Sequence, residues 1–146
     1  MKILICGLPG SGKTTLAEPL SRELGAIWIN ADKVRTRFQD WDFSEEGRTR
    51  QADRMRNIAD GVVMADKIAV ADFICPTKET RKDFDADYTI WMDTIQTGRF
   101  DDTNAMFEPL TAFDYNYRVT EWTDDTQPIL EDMIKKYIEL PWINHG

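Results

Sequence analysis

The chain has 146 residues, of which 18 are basic and 26 acidic, so its formal net charge is −8. This length suggests a single domain over residues 1–146, and a composition that is 42% apolar and 30% charged is typical of a folded domain rather than a disordered chain. The acidic balance argues against long nucleic acids as partners, and the lack of an apolar run near the roughly 18 residues of a membrane span argues against a membrane protein.

Apolar runs alternate with segments of helical periodicity along the chain. Strands are predicted at 2–6, 26–29, 68–74, 88–92 and 117–122, and helices at 13–24, 32–38, 77–84, from Ser44 and from about Thr126. Pro19 is expected to bend or interrupt the first helix, and residues 96–116 are predicted to be irregular. The alternation implies a three-layer α/β/α fold with a four- to five-stranded, mostly parallel sheet.

The N-terminal apolar stretch and the cysteines bear on the cellular compartment. Residues 3–5 are too few for the apolar core of a signal peptide, so we expect a cytoplasmic protein. Cys6 and Cys75 lie in or next to apolar runs and are expected to be free, buried thiols. The single histidine, His145, argues against a histidine triad or a multi-histidine metal site.

Charge is unevenly distributed along the chain. Residues 1–82 contain 14 basic and 12 acidic residues, whereas residues 83–146 contain 4 basic and 14 acidic residues. Affinity for a polyanion depends mainly on lysine and arginine, but a slightly basic first half can still bind one small anion. The distribution therefore favours a small-molecule nucleotide over a long nucleic acid.

Residues 7–14 match the phosphate-binding pattern G-x-x-x-x-G-K-[ST] completely, between a predicted strand and a predicted helix. Glycines let backbone N–H groups approach phosphate oxygens, and the helix N-terminus adds a favourable dipole. In this reading Lys13 neutralises charge on the β- and γ-phosphates, and the Thr14 hydroxyl binds Mg²⁺. The predicted ATP-phosphate residues are Gly7, Pro9, Gly10, Ser11, Gly12, Lys13, Thr14 and Thr15.

This loop indicates nucleotide binding but does not specify a reaction, because switch GTPases, motor ATPases and small kinases share it. The chain offers little room for switch machinery and contains no guanine-reading N-K-x-D pattern. These features favour a small P-loop kinase, in which the loop holds ATP and another part of the sheet edge holds a phosphate acceptor.

A second group of polar residues, Asn30, Asp32 and Arg35, follows the second predicted strand. Ligands of open α/β sheets bind at the carboxyl ends of strands. Asp32 could orient or deprotonate an acceptor hydroxyl, and Arg35 could bind an anionic group of the acceptor. Equally, Asp32 could serve only as a helix cap and Arg35 could be a solvated helix residue.

Four blocks of the sequence together resemble the adenylylsulfate kinases, over about residues 1–93. The blocks are 7–15, Asn30-Ala31-Asp32-Lys33-Val34-Arg35, Phe43-Ser44-Glu45-Glu46-Gly47-Arg48 and Phe73-Ile74-Cys75-Pro76. These enzymes use MgATP to phosphorylate the 3′-hydroxyl of adenosine 5′-phosphosulfate (APS). The resemblance therefore implies APS as the acceptor and Mg²⁺ as the cofactor. Members of this family commonly pair, so it also implies a homodimer as a state to test.

The resemblance assigns roles to individual residues. Asp32 would be the catalytic carboxylate beside the acceptor hydroxyl, and Arg35 and Arg48 would bind the sulfate–phosphate anhydride. Phe43 and Phe100 would enclose the adenine, which stacking would stabilise by about 1–3 kcal/mol. The remaining acceptor-site positions would be Gln51, Ile74, Cys75, Lys78 and Arg81.

The chain departs from that family at several of these positions. Asn30 replaces an aspartate, Gln51 an asparagine and Cys75 a serine, and Gly47 stands where the family has an aspartate. The lid, about residues 96–116, is short and has Arg99 as its one cation. Asp72 and Asp93 lie at the carboxyl ends of the third and fourth predicted strands, and either could hold a water on Mg²⁺.

Two other functions remain open from the sequence. Polynucleotide 5′-kinases also combine a loop of this type with an N-x-D-x-x-R pattern, which Asn30, Asp32 and Arg35 satisfy. A nucleotide-binding module that has lost turnover together with its lid is the second alternative.

Overall fold

The computed structural model describes residues 1–97 and 101–139, with the backbone alone at residues 101 and 102. In chain order its elements are β1 (Lys2–Cys6), α1 (Lys13–Leu24), β2 (Ile27–Asn30), α2 (Ala31–Phe38), α3 (Glu45–Met64), β3 (Ala69–Asp72), α4 (Lys78–Phe84), β4 (Tyr88–Met92), α5 (Asp101–Met106), β5 (Tyr117–Val119) and α6 (Thr126–Ile138).

The five strands form one sheet in the order β2-β3-β1-β4-β5, and every neighbouring pair is parallel. The predicted parallel sheet is therefore confirmed. The phosphate-loop strand β1 lies at the centre, with β3 on one side and β4 on the other. Because all strands point the same way, the loops after β1, β2, β3 and β4 meet at one edge, where ligands of such sheets bind.

Side chains of each strand alternate between two apolar layers, as the twofold period of a strand requires. On one face, Leu4 and Cys6 of β1 pack with Met55 and Ala59 of α3. On the other face, Ile3 and Ile5 pack with residues of α1 and α6, among them Leu16, Leu20, Leu130 and Ile134. These helices cover both faces of the sheet, which gives the expected three layers.

The predicted element boundaries need correction in several places. The segment 96–116 is not wholly irregular, because it contains α5 and buries Thr103 and Leu110. Strands β3 and β5 end at Asp72 and Val119, earlier than the apolar runs suggested. α1 continues through Pro19, where the buried residues Leu16, Ala17 and Leu20 anchor the helix on both sides. β2 begins and ends one residue later than predicted.

Within the described residues, no helix combines the length and apolar character needed to cross a bilayer.

Candidate active site

The loop between β1 and α1 has the backbone conformation that its glycines make possible. Gly10 and Gly12 have φ values of 86° and 98°, in the region that residues with a Cβ rarely adopt. A Cβ at Gly7 would lie 2.6 Å from the carbonyl oxygen of Met92 and 2.8 Å from Ser11 Oγ. Larger residues at these positions would disturb both the loop and its contact with β4.

The side chains of the loop are placed for an anionic ligand. Lys13 Nζ donates hydrogen bonds to the carbonyl oxygens of Gly7 and Leu8, at 3.1 and 2.9 Å. Ser11 Oγ is buried and has no hydrogen-bond partner in the described part of the chain. A buried hydroxyl without a partner is costly, and a phosphate oxygen held by the loop would supply one. The Thr94 hydroxyl donates to the Ser11 carbonyl, at 2.7 Å, and fixes the loop from the end of β4.

Asn30 joins three parts of the site. Its Oδ1 accepts the Lys33 backbone N–H at 3.0 Å, which caps α2. Its Nδ2 lies 3.3 and 3.2 Å from the two carboxylate oxygens of Asp72 and 3.5 Å from Thr14 Oγ1. One amide therefore contacts the phosphate-loop helix, the end of β3 and the helix that carries Asp32.

Asp72 is nearly fully buried at the end of β3 and accepts hydrogen bonds from Asn30 and from the indole N–H of Trp28. Burial raises the pKa of the Asp72 carboxyl, and these two hydrogen bonds together with nearby Lys13 partly offset the effect. The carboxylate is thus held in one orientation beside the phosphate loop.

The donor set around Thr14 suits Mg²⁺, which prefers oxygen ligands and usually takes few from the protein. The Thr14 hydroxyl and the Asp72 carboxylate share Asn30 as a hydrogen-bond donor, so both lie at the same end of the loop. The described residues contain no group of three or more His, Cys, Asp or Glu side chains able to hold a metal ion. Phosphate oxygens and water would have to complete the coordination.

Asp32 lies in the first turn of α2 and is exposed. It lies two residues after Asn30, the last residue of β2, so it stands at the edge of the sheet where Asn30 contacts Asp72 and Thr14. An exposed carboxylate at this edge of the sheet is available to a bound acceptor. Its predicted role beside the acceptor hydroxyl remains a prediction.

Arg35 is held by the protein itself. It is buried, and its Nη1 donates to the carbonyl oxygens of Asp40 and Asp42, at 3.0 and 3.3 Å. Desolvation lowers the pKa of Arg35 from its ordinary value. These bonds shape the loop between α2 and α3, and binding of an acceptor anion by Arg35 remains a prediction.

The same loop presents aromatic rings to solvent. Asp40 is paired with Arg50 and Arg54, at 3.2 and 2.7 Å, and these guanidinium groups hold the pKa of Asp40 well below its usual range. Phe43 lies with its ring 4.4 Å from the Arg35 guanidinium carbon and is 54% exposed. These ion pairs hold the loop between α2 and α3 in place and leave the Phe43 ring exposed to solvent.

Gln51 and Arg48 of α3 have different surroundings. Gln51 Nε2 donates to the Ala31 carbonyl at 3.0 Å, while its Oε1 is buried without a partner among the described residues. Arg48 Nη1 lies 3.5 Å from Met106 Sδ, so it reaches the end of α5. Gln51 thus supports the start of α2, and Arg48 connects α3 to the end of α5.

The segment after β3 is rigidly packed. Cys75 is fully buried at a positive φ of 45°, and burial raises the pKa of its thiol well above the usual range. The second thiol, Cys6, has its pKa raised to about 12 by the same cause. Both are free, as predicted, and neither forms a thiolate near neutral pH. Ile74 is half-buried, and its backbone carbonyl oxygen accepts a hydrogen bond from the Gly7 N–H at 3.4 Å, which ties this segment to the phosphate loop.

The lid segment packs against this region. Arg81 donates to the carbonyl oxygens of Cys75 and Pro76, at 3.0 and 2.8 Å, and also to that of Glu108. The Lys78 backbone N–H donates to Glu108 Oε2 at 3.1 Å, while the Lys78 side chain is exposed. The middle of the lid, at Glu108, is therefore fixed to α4. The predicted lid residues Arg99 and Phe100 lie outside the described residues.

A cavity of about 310 Å³ lies between the phosphate loop, the ends of β4 and β5, and the lid. Arg118 forms an ion pair with Asp93, and its guanidinium carbon lies 4.7 Å from the Trp91 ring. This pairing occupies Asp93 and raises the pKa of Arg118. The lining residues are Leu8, Trp91, Met92, Asp93, Ile95, Gln96, Asn104, Phe107, Pro109 and Arg118.

Sequence reasoning did not identify the contact between Trp28 and Asp72 or the pairing of Arg118 with Trp91. Trp28 and Asn30 are two residues apart on β2, so they share a face, and Asn30 pairs with Asp72 in the sheet. That periodicity could have identified the Trp28 contact. No comparable signal links Arg118 to Trp91, because their pairing depends on the parallel register of β4 and β5.

Comparisons with known proteins agree with this architecture. The model of the family described as AAA domain matches residues 3–142. The structure of a protein named APE1195 has a TM-score of 0.74 at 20% identity, covering 95% of this chain and 96% of that one. No curated protein sequence matches the chain.

Two small-molecule kinases share the fold. The Mycobacterium tuberculosis APS kinase, solved with AMPPNP and APS, has a TM-score of 0.67 at 19% identity, covering 95% of this chain and 97% of that chain. The Acinetobacter baumannii shikimate kinase, solved with shikimate, has a TM-score of 0.63 at 15% identity, covering 97% and 95%. Identities this low establish the common fold and leave the substrate open.

Proposed function

The chain belongs to the AAA domain family, and from that premise we propose that it is a P-loop kinase that transfers the γ-phosphoryl group of ATP to a hydroxyl group. The observation that carries this proposal is the Asn30 amide, which joins Thr14 of the phosphate loop to Asp72 and caps the helix bearing Asp32. The phosphate side and the acceptor side of the site are thereby held in one rigid frame.

The acceptor that we propose is the 3′-hydroxyl of adenosine 5′-phosphosulfate. The resemblance of four sequence blocks to adenylylsulfate kinases supports it, as does the shared fold with a kinase solved in complex with APS. We propose that Arg48, whose Nη1 lies 3.5 Å from Met106 Sδ at the end of α5, binds the anionic end of such an acceptor. The reaction would give 3′-phosphoadenylylsulfate, as in sulfate assimilation.

Phosphoryl transfer requires the protein mainly to position the two substrates and to stabilise the charge on the transferring group. The acceptor oxygen forms a bond to the γ-phosphorus while the bond to the bridging oxygen of ADP breaks. Loop N–H groups and Lys13 stabilise the charge on the transferring group, and Asp32 orients the hydroxyl and takes its proton. The Thr14 hydroxyl and, through a bound water, the Asp72 carboxylate would hold Mg²⁺, which would supply further charge neutralisation.

A coupled assay that follows ADP release from MgATP tests this proposal. Wild-type protein is expected to turn over APS, and Asp32→Asn to lose about 10²-fold or more in kcat because the hydroxyl loses its base. Asp53→Asn, an exposed carboxylate on α3, is the matched control and should behave as wild type. ATP binding without any turnover of APS would overturn the substrate assignment.

Exposed rings favour one second candidate, phosphorylation of the 5′-hydroxyl of an oligonucleotide. Trp41 and Phe43 are 52% and 54% exposed, with centroids 6.4 Å apart, and exposed aromatic rings can stack on bases. A 5′-hydroxyl oligonucleotide offered in the same assay tests this candidate. Turnover of the oligonucleotide but not of APS would establish it.

A further inference from the structure

The cavity beside β4 and β5 lies outside the acceptor residues that the sequence resemblance identifies. Its volume of about 310 Å³ is at the small end of the ~300–1,000 Å³ typical of ligand pockets, which suits one compact ring system. Leu8 of the phosphate loop forms part of its wall, so the cavity opens beside the phosphate-binding loop. A group bound there would lie next to ATP.

The lining of the cavity suits a planar ring without net charge. Phe107 is half-buried and supplies aromatic surface, with the Arg81 guanidinium carbon 5.4 Å from its ring centroid. Trp91 is buried and is covered by Tyr115 and the Arg118 guanidinium. The two charged lining residues, Asp93 and Arg118, neutralise each other. A phosphate or sulfate would find no uncompensated cation among these lining residues, whereas a neutral aromatic ring could stack.

Two side-chain amides give the cavity hydrogen-bonding groups that can read the edge of a ring. Asn104 and Gln96 line it, and each amide carries both a donor and an acceptor. This is the chemistry by which asparagine and glutamine recognise a nucleobase edge. Asn104 and Phe107 are three residues apart, and the Phe107 N–H donates to the Thr103 carbonyl in helical fashion. Both side chains can therefore project from one face of the lid.

We propose that this cavity binds the nucleobase of the acceptor, with Phe107 as the stacking residue and Asn104 as the specificity-determining residue. The proposal rests on the proposed function, since it requires a nucleoside acceptor. It departs from the resemblance, which would enclose the base between Phe43 and Phe100. Phe43 lies on an open loop with more than half of its side chain in solvent, whereas the cavity surrounds a ligand on several sides.

The sheet order makes this arrangement geometrically possible. Neighbouring strands lie about 4.8 Å apart, so the end of β4 is one strand from β1 and the end of β2 is two strands away on the other side. A base over β4 would place its ribose near the phosphate loop after β1. The anionic end of the acceptor could then extend toward Arg48, which meets the lid at Met106.

The test compares acceptor binding by four variants with binding by the wild-type protein. APS is titrated calorimetrically into each protein in the presence of AMPPNP, and AMPPNP alone is titrated as the measure of an intact ATP site. Phe107→Leu keeps apolar volume but removes the ring, and Asn104→Leu removes the amide. Phe43→Leu tests the competing placement of the base. Phe113→Leu, at a residue of the same segment that is 99% exposed, is the matched control.

Phe107→Leu and Asn104→Leu are each expected to weaken APS binding by about tenfold, as loss of a base contact does. Their AMPPNP affinity should match the wild type. Phe107→Leu should melt at a lower temperature because Phe107 packs against the core, and Phe113→Leu should bind both ligands within about twofold of the wild type. Asn104→Leu should also reduce the preference for AMP over GMP and CMP, a change that a merely structural role would not produce.

Two results would overturn the proposal, and they differ in what they say about the proposed function. If Phe43→Leu weakens APS binding while both cavity variants bind normally, the base lies on Phe43 and the kinase proposal stands. If wild-type protein binds AMPPNP but neither APS nor the three mononucleotides, no nucleoside acceptor exists and both proposals fail.

Discussion

At the scale of single residues, substitutions at Asn30 can separate its role as the cap of α2 from its role in positioning Asp72 and Thr14. Asn30→Asp should preserve the cap of α2, because aspartate accepts the Lys33 N–H equally well. It removes the donor to Asp72 and Thr14 and places two carboxylates side by side. We expect kcat to fall by about 10²-fold and the Mg²⁺ concentration for half-maximal activity to change, measured by steady-state kinetics across a Mg²⁺ titration.

Asn30→Ser is the control for this prediction. Serine also caps a helix well, but it brings neither the amide donor nor a charge. If the cap were the whole role of Asn30, both variants would retain wild-type kinetics. The positioning role instead requires that both lose activity and that Asn30→Asp acquire a pH dependence in kcat, as its paired carboxylates share a proton.

Asp72 gives a prediction for stability as a function of pH. Burial raises the pKa of its carboxyl in the folded protein, so the folded state binds the proton more tightly than the unfolded state. The stability contribution of the protonated group is then lost as pH rises through the folded pKa. Asp72→Asn should therefore gain stability relative to wild type as pH rises from below 3.8, the ordinary pKa of the carboxyl, through its raised folded pKa, measured by urea unfolding.

The MgATP response checks the same variant. Wild-type protein should be stabilised by MgATP through binding to the folded state, and Asp72→Asn should lose much of that gain if Asp72 supports the metal. A pH-independent difference between the two proteins would contradict the burial argument, and an unchanged MgATP response would contradict the metal role.

A part of the site could be predicted from the sequence when the residues that determine it are contiguous in the chain. The loop at residues 7–14 is encoded by contiguous residues whose backbone needs are specific, so its position and conformation followed from the sequence. The roles predicted for Arg35 and Arg81 were harder to judge, because both guanidinium groups donate to backbone carbonyls. Arg35 bonds to the loop after α2, and Arg81 bonds to the loop before α4 and to the lid. Whether an arginine faces a ligand or the chain depends on the path of loops, which no local pattern encodes.

At the scale of elements, α3 contains two glycines with opposite expected responses to alanine. A Cβ at Gly47 would lie 2.1 Å from the Asp42 carbonyl oxygen, whereas nothing lies within 4 Å at Gly61. Gly61→Ala should stabilise the protein by about 0.5–1 kcal/mol through helix propensity, and Gly47→Ala should destabilise it by about 1–3 kcal/mol through overlap. Urea unfolding of the two variants measures both effects.

Gly47→Ala and Gly61→Ala serve as controls for each other, because both replace a glycine by alanine in the same helix. Stabilisation by both alanines would show that the loop at Asp42 yields freely, and the close approach of α3 to that loop would then be unimportant. Overlap at Gly47 should also reduce ion pairing of Asp42 with Arg50, which lie 2.8 Å apart.

Elements were predictable where periodicity was strong. The start of α3 at its Ser44 cap and the strands at β1 and β4 followed from capping and apolar runs. α5 did not, because it is six residues long and lies in a polar segment with no apolar stripe. Its short helix is stabilised by tertiary packing, in which Thr103 and Leu110 are buried, and packing of that kind overrides local preference.

At the scale of the whole molecule, the order of the strands could not be read from the sequence. Alternation of strands and helices predicts a parallel sheet, but the order β2-β3-β1-β4-β5 depends on long-range pairing. That order puts the slightly basic first half of the chain on the β2 and β3 side of the phosphate loop. The strongly acidic second half supplies β4, β5 and the lid.

This charge distribution predicts how the protein responds to chain length and salt in a nucleic-acid ligand. The affinity for a single-stranded oligonucleotide depends on how many phosphates are neutralised, with a salt slope of about −0.7 per phosphate contact. Residues 83–146 have 4 basic against 14 acidic residues, so a nucleic-acid strand that extends over this half would be repelled.

We expect a 5′-hydroxyl 12-mer to bind no more tightly than a dinucleotide, with a slope of log affinity against log salt concentration no steeper than about −2. Fluorescence anisotropy of labelled oligonucleotides across a KCl series measures both quantities. Affinity that rises steadily with length and falls steeply with salt would show a basic track, and would favour the polynucleotide 5′-kinase over a kinase of single nucleotides.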